Sequence, residues 1–115
     1  MPRIYKILPR PDWAAAQAAG RFQGSAVDLA DGFIHFSTAA QAGETARRHF
    51  AGQAGLVVLE VDADDLGPAL KWEPSRGGDL FPHLYGALPL MAVLWAKPLA
   101  LAPNGLHILP AGLSE

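Results

Sequence analysis

Two short segments combine titratable side chains with large apolar ones: residues 31–38, Asp-Gly-Phe-Ile-His-Phe-Ser-Thr, and residues 70–86. Burying an unpaired imidazole costs free energy, so a strand that only fills a core does not need His35. Side chains alternate across a strand, which predicts that His35 and Ser37 share one face with Phe33. Hydrogen-bonding groups on apolar walls are what a small-molecule pocket requires, so we expect a ligand site here.

The second segment contains the string Phe-Pro-His-Leu-Tyr-Gly at residues 81–86. In an extended conformation, His83 and Tyr85 share a face with Phe81. An imidazole can act as acid, base or ligand near neutral pH, and a Tyr ring can stack on a flat base. Two interpretations of His35, His83 and Tyr85 stand at this point. They line a ligand site, or they are core groups that bond to backbone carbonyls.

Other polar residues beside these segments also have two interpretations each. The Glu73 carboxylate can bind ribose hydroxyls or stabilise a developing cation, or it is an exposed acid at a strand end. Arg76, in a Gly-rich loop, can reach a phosphate with two hydrogen bonds, or it is simply solvated. Ser37 or Thr38 caps a helix, and a helix N-terminus also offers free N–H groups to a phosphate.

Composition predicts one domain, residues 1–115, with a core of its own. Hydrophobic residues make up 50% and charged residues 17% of the chain, which disfavours disorder. A net charge of −2 gives no electrostatic reason to expect binding to nucleic acid or to an anionic membrane. The chain has no cysteine, which excludes disulfides and thiolate catalysis, and no long apolar N-terminal region. We therefore expect a cytoplasmic protein.

Periodicity, caps and breakers predict the order of elements. Strands are predicted at residues 3–8, 32–36, 56–61, 69–73, 92–101 with an interruption near Pro98, and 106–109. Helices are predicted from Pro11 to about residue 19 and from a cap at Thr38 to about Phe50. Residues 22–29 are predicted as a loop with a short turn or strand, residues 62–67 as one helical turn, and residues 80–86 as semi-extended. Strands that follow two early helices predict an α+β fold with a strongly bent, mostly antiparallel sheet.

The chain resembles one bacterial family, the domain of unknown function numbered 952. The resemblance covers nearly the whole chain and rests on residues 4–7, 31–38, 71–73, 81–86 and 88–90. That family is similar in fold to the ADP-ribosyltransferase superfamily, whose members use NAD. The resemblance implies an ADP-ribosyltransferase-like split sheet, with two N-terminal helices and a cleft that takes NAD as a substrate.

The resemblance also implies roles for individual residues. It places Tyr5 and Lys6 on the first strand against NAD, and Glu73 or His83 near the reacting ribose. The predicted catalytic residues are Glu73, His83 and His35. The predicted nucleotide-binding residues are Tyr5, Lys6, Ser37, Thr38, Arg76 and Tyr85. The chain differs from that superfamily in having no Ser-Thr-Ser and no Glu-x-Glu string.

Three hypotheses for the function follow. The first is an enzyme, or a former enzyme, that binds NAD or a related ADP-ribose compound and supports transfer or hydrolysis at the nicotinamide-bearing ribose carbon. The second is a module that binds a small nucleotide-like ligand without chemistry. The third is a metal-assisted hydrolase, although the four histidines show no His-x-His or His-x-x-x-His spacing and we assign no metal ligand.

Overall fold

A computed structural model describes residues 2–113 of the chain, apart from the side chain of Arg76. The strands are β1 (Arg3–Pro9), β2 (Arg21–Phe22), β3 (Ile34–His35), β4 (Leu56–Asp62), β5 (Leu70–Pro74), β6 (Leu80–Leu84), β7 (Leu88–Pro89), β8 (Val93–Leu101) and β9 (His107–Ile108). The helices are α1 (Arg10–Ala19), α2 (Ala26–Asp31) and α3 (Ala39–His49). Shorter 3₁₀ turns span Ala63–Ala69, Arg76–Gly78 and Leu90–Ala92.

The described strands pair antiparallel throughout. One sheet has the order β1-β4-β8-β9, a second has the order β3-β6-β5, and β2 pairs with β7. A bridge between Tyr5 and Ser37 joins the first two sheets, with backbone N–H···O distances of 2.7 and 2.8 Å. The result is a mixed α+β fold with a strongly curled antiparallel sheet, which confirms the predicted fold at this level. The bridge also brings the first strand beside the segment that carries His35.

The central strand β4 is buried on both faces. Leu59 and Val61 pack into the larger apolar cluster with Ile4, while Val58 packs on the opposite side with Ala46 of α3. Alternation of apolar side chains on a strand covered on both faces explains the nearly continuous apolar run of β4.

Both predicted helices form where the sequence places their N-termini. In α3, Gln41 N donates to Thr38 Oγ1 at 3.2 Å, and Thr38 N donates to Gln41 Oε1 at 3.0 Å. This reciprocal capping box confirms the predicted start of the helix. Gly20 ends α1 in the left-handed conformation, with φ of 86°.

Two predictions about the elements are wrong. Residues 22–29 contain most of a third helix, α2, so three helices precede β4 instead of two. Its short length hides any periodicity, and bonds from Ser25 to Asp28 together with tertiary contacts hold it in place.

Strand β8 also continues through Pro98, which pairs with Val57. Strand β9 covers β8 only at Ala100 and Leu101, so β8 has an open edge at Pro98, where proline is tolerated.

Candidate functional site

Three neighbouring strands place the predicted site residues side by side. His35 on β3 lies opposite His83 on β6, and His83 lies opposite Lys71 on β5. Residues that lie opposite each other in adjacent strands point to the same face of a sheet. The two imidazole ring centroids are 5.6 Å apart.

Phe33 packs against this row of side chains. Its ring centroid lies 4.6 Å from that of His35, 4.2 Å from that of His83 and 5.2 Å from that of Tyr85. We call this group the histidine face and define it by Phe33, His35, Glu73, His83 and Tyr85. The structure thus brings together four of the residues that the sequence predicted for the site: His35, Glu73, His83 and Tyr85.

Glu73 links His83 and Tyr85, two other members of the histidine face, through hydrogen bonds. Its Oε1 atom bonds to His83 Nδ1 at 2.8 Å and accepts from the Tyr85 hydroxyl at 2.7 Å. Both hydrogen bonds lower the pKa of Glu73, and the bond with His83 has the larger effect. The bond between Tyr85 and Glu73 also raises the pKa of Tyr85. Glu73 is therefore a carboxylate at neutral pH, and His83 is oriented through Nδ1. Apart from the Arg76 side chain, which the structure does not describe, no residue within 2–113 hydrogen-bonds to Nε2 of the buried His83.

Asp28 of α2 lies behind the histidine face and bonds to His35. It is 2% exposed, and its oxygens lie 2.9 and 2.8 Å from Lys6 Nζ. Its Oδ1 also lies 2.6 Å from His35 Nδ1 and accepts from His35 N at 3.1 Å. Burial acts to raise the pKa of Asp28, but the His35 hydrogen bond and the Lys6 ammonium together lower it well below its usual range. Burial lowers the pKa of Lys6, and the Asp28 charge opposes that shift.

His35 lies between two carboxylates of α2. Its Nδ1 faces Asp28, and its Nε2 lies 2.9 Å from Asp31 Oδ2. A neutral imidazole has one N–H donor, whereas the imidazolium has two. Of the two contacts, that with Asp28 is a hydrogen bond, and that with Asp31 is an ion pair when the ring is protonated.

Three other predicted residues, Tyr5, Ser37 and Thr38, make their contacts away from the histidine face. Tyr5 points to the other side of β1 from Lys6, donates to Glu60 at 2.8 Å and packs against Trp95. Burial and then this hydrogen bond raise its pKa to about 12. Ser37 is buried and bonds to Thr45 at 2.8 Å, and Thr38 caps α3. The predicted role of the Arg76 side chain falls outside the described part of the chain.

Sequence reasoning missed Asp28, Asp31 and Phe33 as parts of the site. Asp28 was missed because residues 22–29 were predicted as a loop. A capping signal was present, since Ser25 and Asp28 stand three residues apart between Gly24 and Gly32. Phe33 was predicted to share a face with His35, but no role was assigned to it.

A cavity of about 300 Å³ lies between α1 and the segment after β2. Its lining includes Asp12, Ala16, Arg21, Phe22 and Gly24.

Residues 2–113 contain no group of three His, Asp or Glu side chains placed to hold a metal ion. In the same range, no helix has the length and apolar character needed to cross a bilayer.

The chain is a small α+β protein whose curled antiparallel sheet carries the histidine face. Comparison with known proteins places it in a family. The model of the family described as "Protein of unknown function (DUF952)" matches residues 7–96. The chain therefore belongs to this family, as its motifs predicted. No curated protein shows significant similarity to the chain.

Solved structures of one protein, CC0527 from Caulobacter crescentus, are similar to this fold. Its crystal structure, from a structural genomics consortium, has 57% sequence identity and a TM-score of 0.90, covering 93% of this chain and 94% of that one. Its solution NMR structure has 57% identity and a TM-score of 0.82, covering 92% of this chain and 91% of that one.

Proposed function

We propose that the histidine face binds an ADP-ribose-type nucleotide, with NAD as the substrate, and supports transfer or hydrolysis at the nicotinamide-bearing ribose carbon. The observation that carries the proposal is the Glu73 carboxylate, shared by His83 and Tyr85 beside a second histidine. Two oriented imidazoles and a carboxylate on one surface are suited to acid–base chemistry on a small ligand. The choice of nucleotide rests on the similarity in fold to the ADP-ribosyltransferase superfamily that the resemblance to family 952 implies.

The chemistry assigns a separate task to each group. The bond between the ribose C1′ and the nicotinamide nitrogen breaks, and nicotinamide leaves with the bonding electrons. Glu73 stabilises the positive charge that develops on the ribose, since a fixed carboxylate is favourable where a cation forms. Water adds to C1′ and gives a proton to Nε2 of His83, which can accept it because Nδ1 bonds to Glu73. In a transfer reaction, another nucleophile replaces the water.

The aromatic groups suit a ligand that carries flat rings. Tyr85 is 42% exposed, and Phe33 lies against it with ring centroids 5.2 Å apart. Rings of this kind can stack on a base while neighbouring polar groups fix the orientation of the ligand.

The non-catalytic binding module remains the second candidate. It is favoured by one observation: both ring nitrogens of His35 already face carboxylates, which leaves His35 suited to binding more than to proton transfer. In this alternative the ligand occupies the same face and leaves unchanged.

Calorimetry with NAD and ADP-ribose, combined with measurement of released nicotinamide, tests the proposal. We expect binding at millimolar or lower concentration, slow release of nicotinamide by the wild type, and loss of release in Glu73→Gln and His83→Gln. His107→Gln is the matched control, because His107 lies on β9 at the far edge of the other sheet. Binding without release in the wild type supports the binding module. No binding of either nucleotide at millimolar concentration contradicts the proposal.

A further inference from the structure

The Asp31 carboxylate occupies a position beside His35 Nε2 that an anionic group of a ligand can also occupy. Asp31 Oδ2 lies 2.9 Å from His35 Nε2, and the Asp31 side chain is 48% exposed. Asp28, on the other side of the ring, has a side chain that is only 1% exposed. One carboxylate is therefore a fixed part of the structure, while the other can leave with little change in packing.

We infer that His35 Nε2 is a binding site for a phosphate oxygen of the ligand, and that the Asp31 carboxylate stands there as an internal anion that the phosphate displaces. The inference rests on the proposed function in one respect, since it places the ligand on the same histidine face. It adds the group that is recognised, a phosphate ester, and the residue that competes with it.

The charges of the cluster support this assignment. Lys6 and a protonated His35 carry two positive charges, and Asp28 and Asp31 carry two negative ones. When Asp31 turns away, the remaining group of Lys6, Asp28 and His35 has a net charge of +1. A desolvated cation behind a half-exposed ring nitrogen is suited to an oxyanion, because hydrogen bonds between charged partners are the strong ones.

The position of Asp31 in its helix also fits a displaceable group. Asp31 is the last residue of α2, and Gly32 follows in the left-handed conformation with φ of 88°. A negative charge in the last turn of a helix interacts unfavourably with the helix dipole. The helix therefore does not depend on this carboxylate, and the position of Asp31 is better explained by the charge of His35.

Other charged and titratable groups surround His35. His35 faces Asp28 and Asp31 of α2 and the His83 ring of β6, and His83 in turn contacts Glu73 of β5, where Lys71 also lies. A phosphate oxygen at His35 Nε2 accepts a hydrogen bond from the ring, with the Lys6 ammonium behind it.

The test compares Asp31→Asn and Asp31→Ala with Asp65→Asn, which removes the same charge from an exposed turn. Calorimetry measures affinity for ADP-ribose and for inorganic phosphate, and NMR observes the His35 ring nitrogens. Exposed ion pairs are worth about 0.2–1 kcal/mol, so removing the competitor should tighten ADP-ribose binding by up to about fivefold. Asp65→Asn should match the wild type, and His35→Gln in the Asp31→Asn background should abolish the gain.

The outcomes separate this inference from the proposed function. Equal ADP-ribose affinity in the wild type and both Asp31 variants, with NMR changes at His83 alone, overturns the inference and leaves the proposed function standing. An equal gain in Asp65→Asn also overturns it, because the effect is then one of overall charge. Phosphate that shifts His35 Nε2 in Asp31→Asn, without any nucleotide preference, supports the inference and contradicts the nucleotide function.

Discussion

Replacing Lys6 by Met tests whether the buried ion pair behind the histidine face is charged and structurally essential. Lys6 is 4% and Asp28 2% exposed, and Lys6 Nζ lies 2.9 and 2.8 Å from the two Asp28 oxygens. Removing one partner of a buried pair costs about 3–5 kcal/mol, because the other charge stays buried without compensation. Ser25 and His35 still bond to Asp28 in the variant, so we expect about 3 kcal/mol.

Urea unfolding followed by tryptophan fluorescence measures this loss. With an m value of about 1.5 kcal/mol/M, the midpoint should fall by about 2 M. Arg48→Met is the control, because Arg48 pairs with Glu44 at 2.7 Å on the exposed side of α3, where such a pair is worth about 1 kcal/mol or less. A loss below about 1 kcal/mol for Lys6→Met would refute the argument that this pair is buried and ionised.

Acid titration gives the same prediction a second readout. The pKa of Asp28 is lower in the folded chain than in the unfolded chain. The stability that its charge contributes is therefore complete at neutral pH and is lost as the pH falls below the unfolded value of about 4 towards the folded one. Lys6→Met should make this acid loss shallower, since the folded-state pKa of Asp28 then moves back towards its usual value.

Two further predictions concern the support of the site and the tyrosines. Gly24→Ala should destabilise the fold by about 1–3 kcal/mol in urea unfolding, because φ is +126° and the new Cβ would lie 2.9 Å from Asp28 Cβ. Gly20→Ala, with φ of +86° and open space around it, should cost less, and equal costs would contradict the crowding argument. The pKa of Tyr5 is raised to about 12 and that of Tyr85 is also raised, so absorbance at 295 nm should show neither phenol ionising at an ordinary pKa. The stability from Tyr5 is present below about pH 10 and lost as the pH rises towards 12, and an ordinary titration in Tyr85→Phe would refute this.

The sequence predicted those parts of the fold whose signals are local. The capping box of Thr38 and Gln41, Gly20 after α1 and the apolar run of β4 each act within a few residues, and all three were found. Strand alternation likewise predicted that His83 and Tyr85 share a face. The pairing of β3 with β6, which sets His35 opposite His83, depends on contacts between segments distant in the chain.

The missed parts of the site depend on tertiary structure. Asp28 is held by Lys6, which lies 22 residues away in the sequence, so no local pattern shows that the carboxylate is buried. Ser37 stands two residues from His35, yet it bonds to Thr45 of α3, because the bridge to Tyr5 ties that part of the segment to the other sheet. Alternation alone could not separate these two neighbours.

An NMR titration of the labelled protein with ADP-ribose tests the central claim most directly, because it locates the ligand without requiring turnover. We expect the largest shift changes at Phe33, His35, Glu73, His83 and Tyr85, with saturation at millimolar or lower concentration. Changes confined to the cavity beside Asp12 and Arg21, or no saturable change at any residue, would contradict the claim that the histidine face is the ligand site.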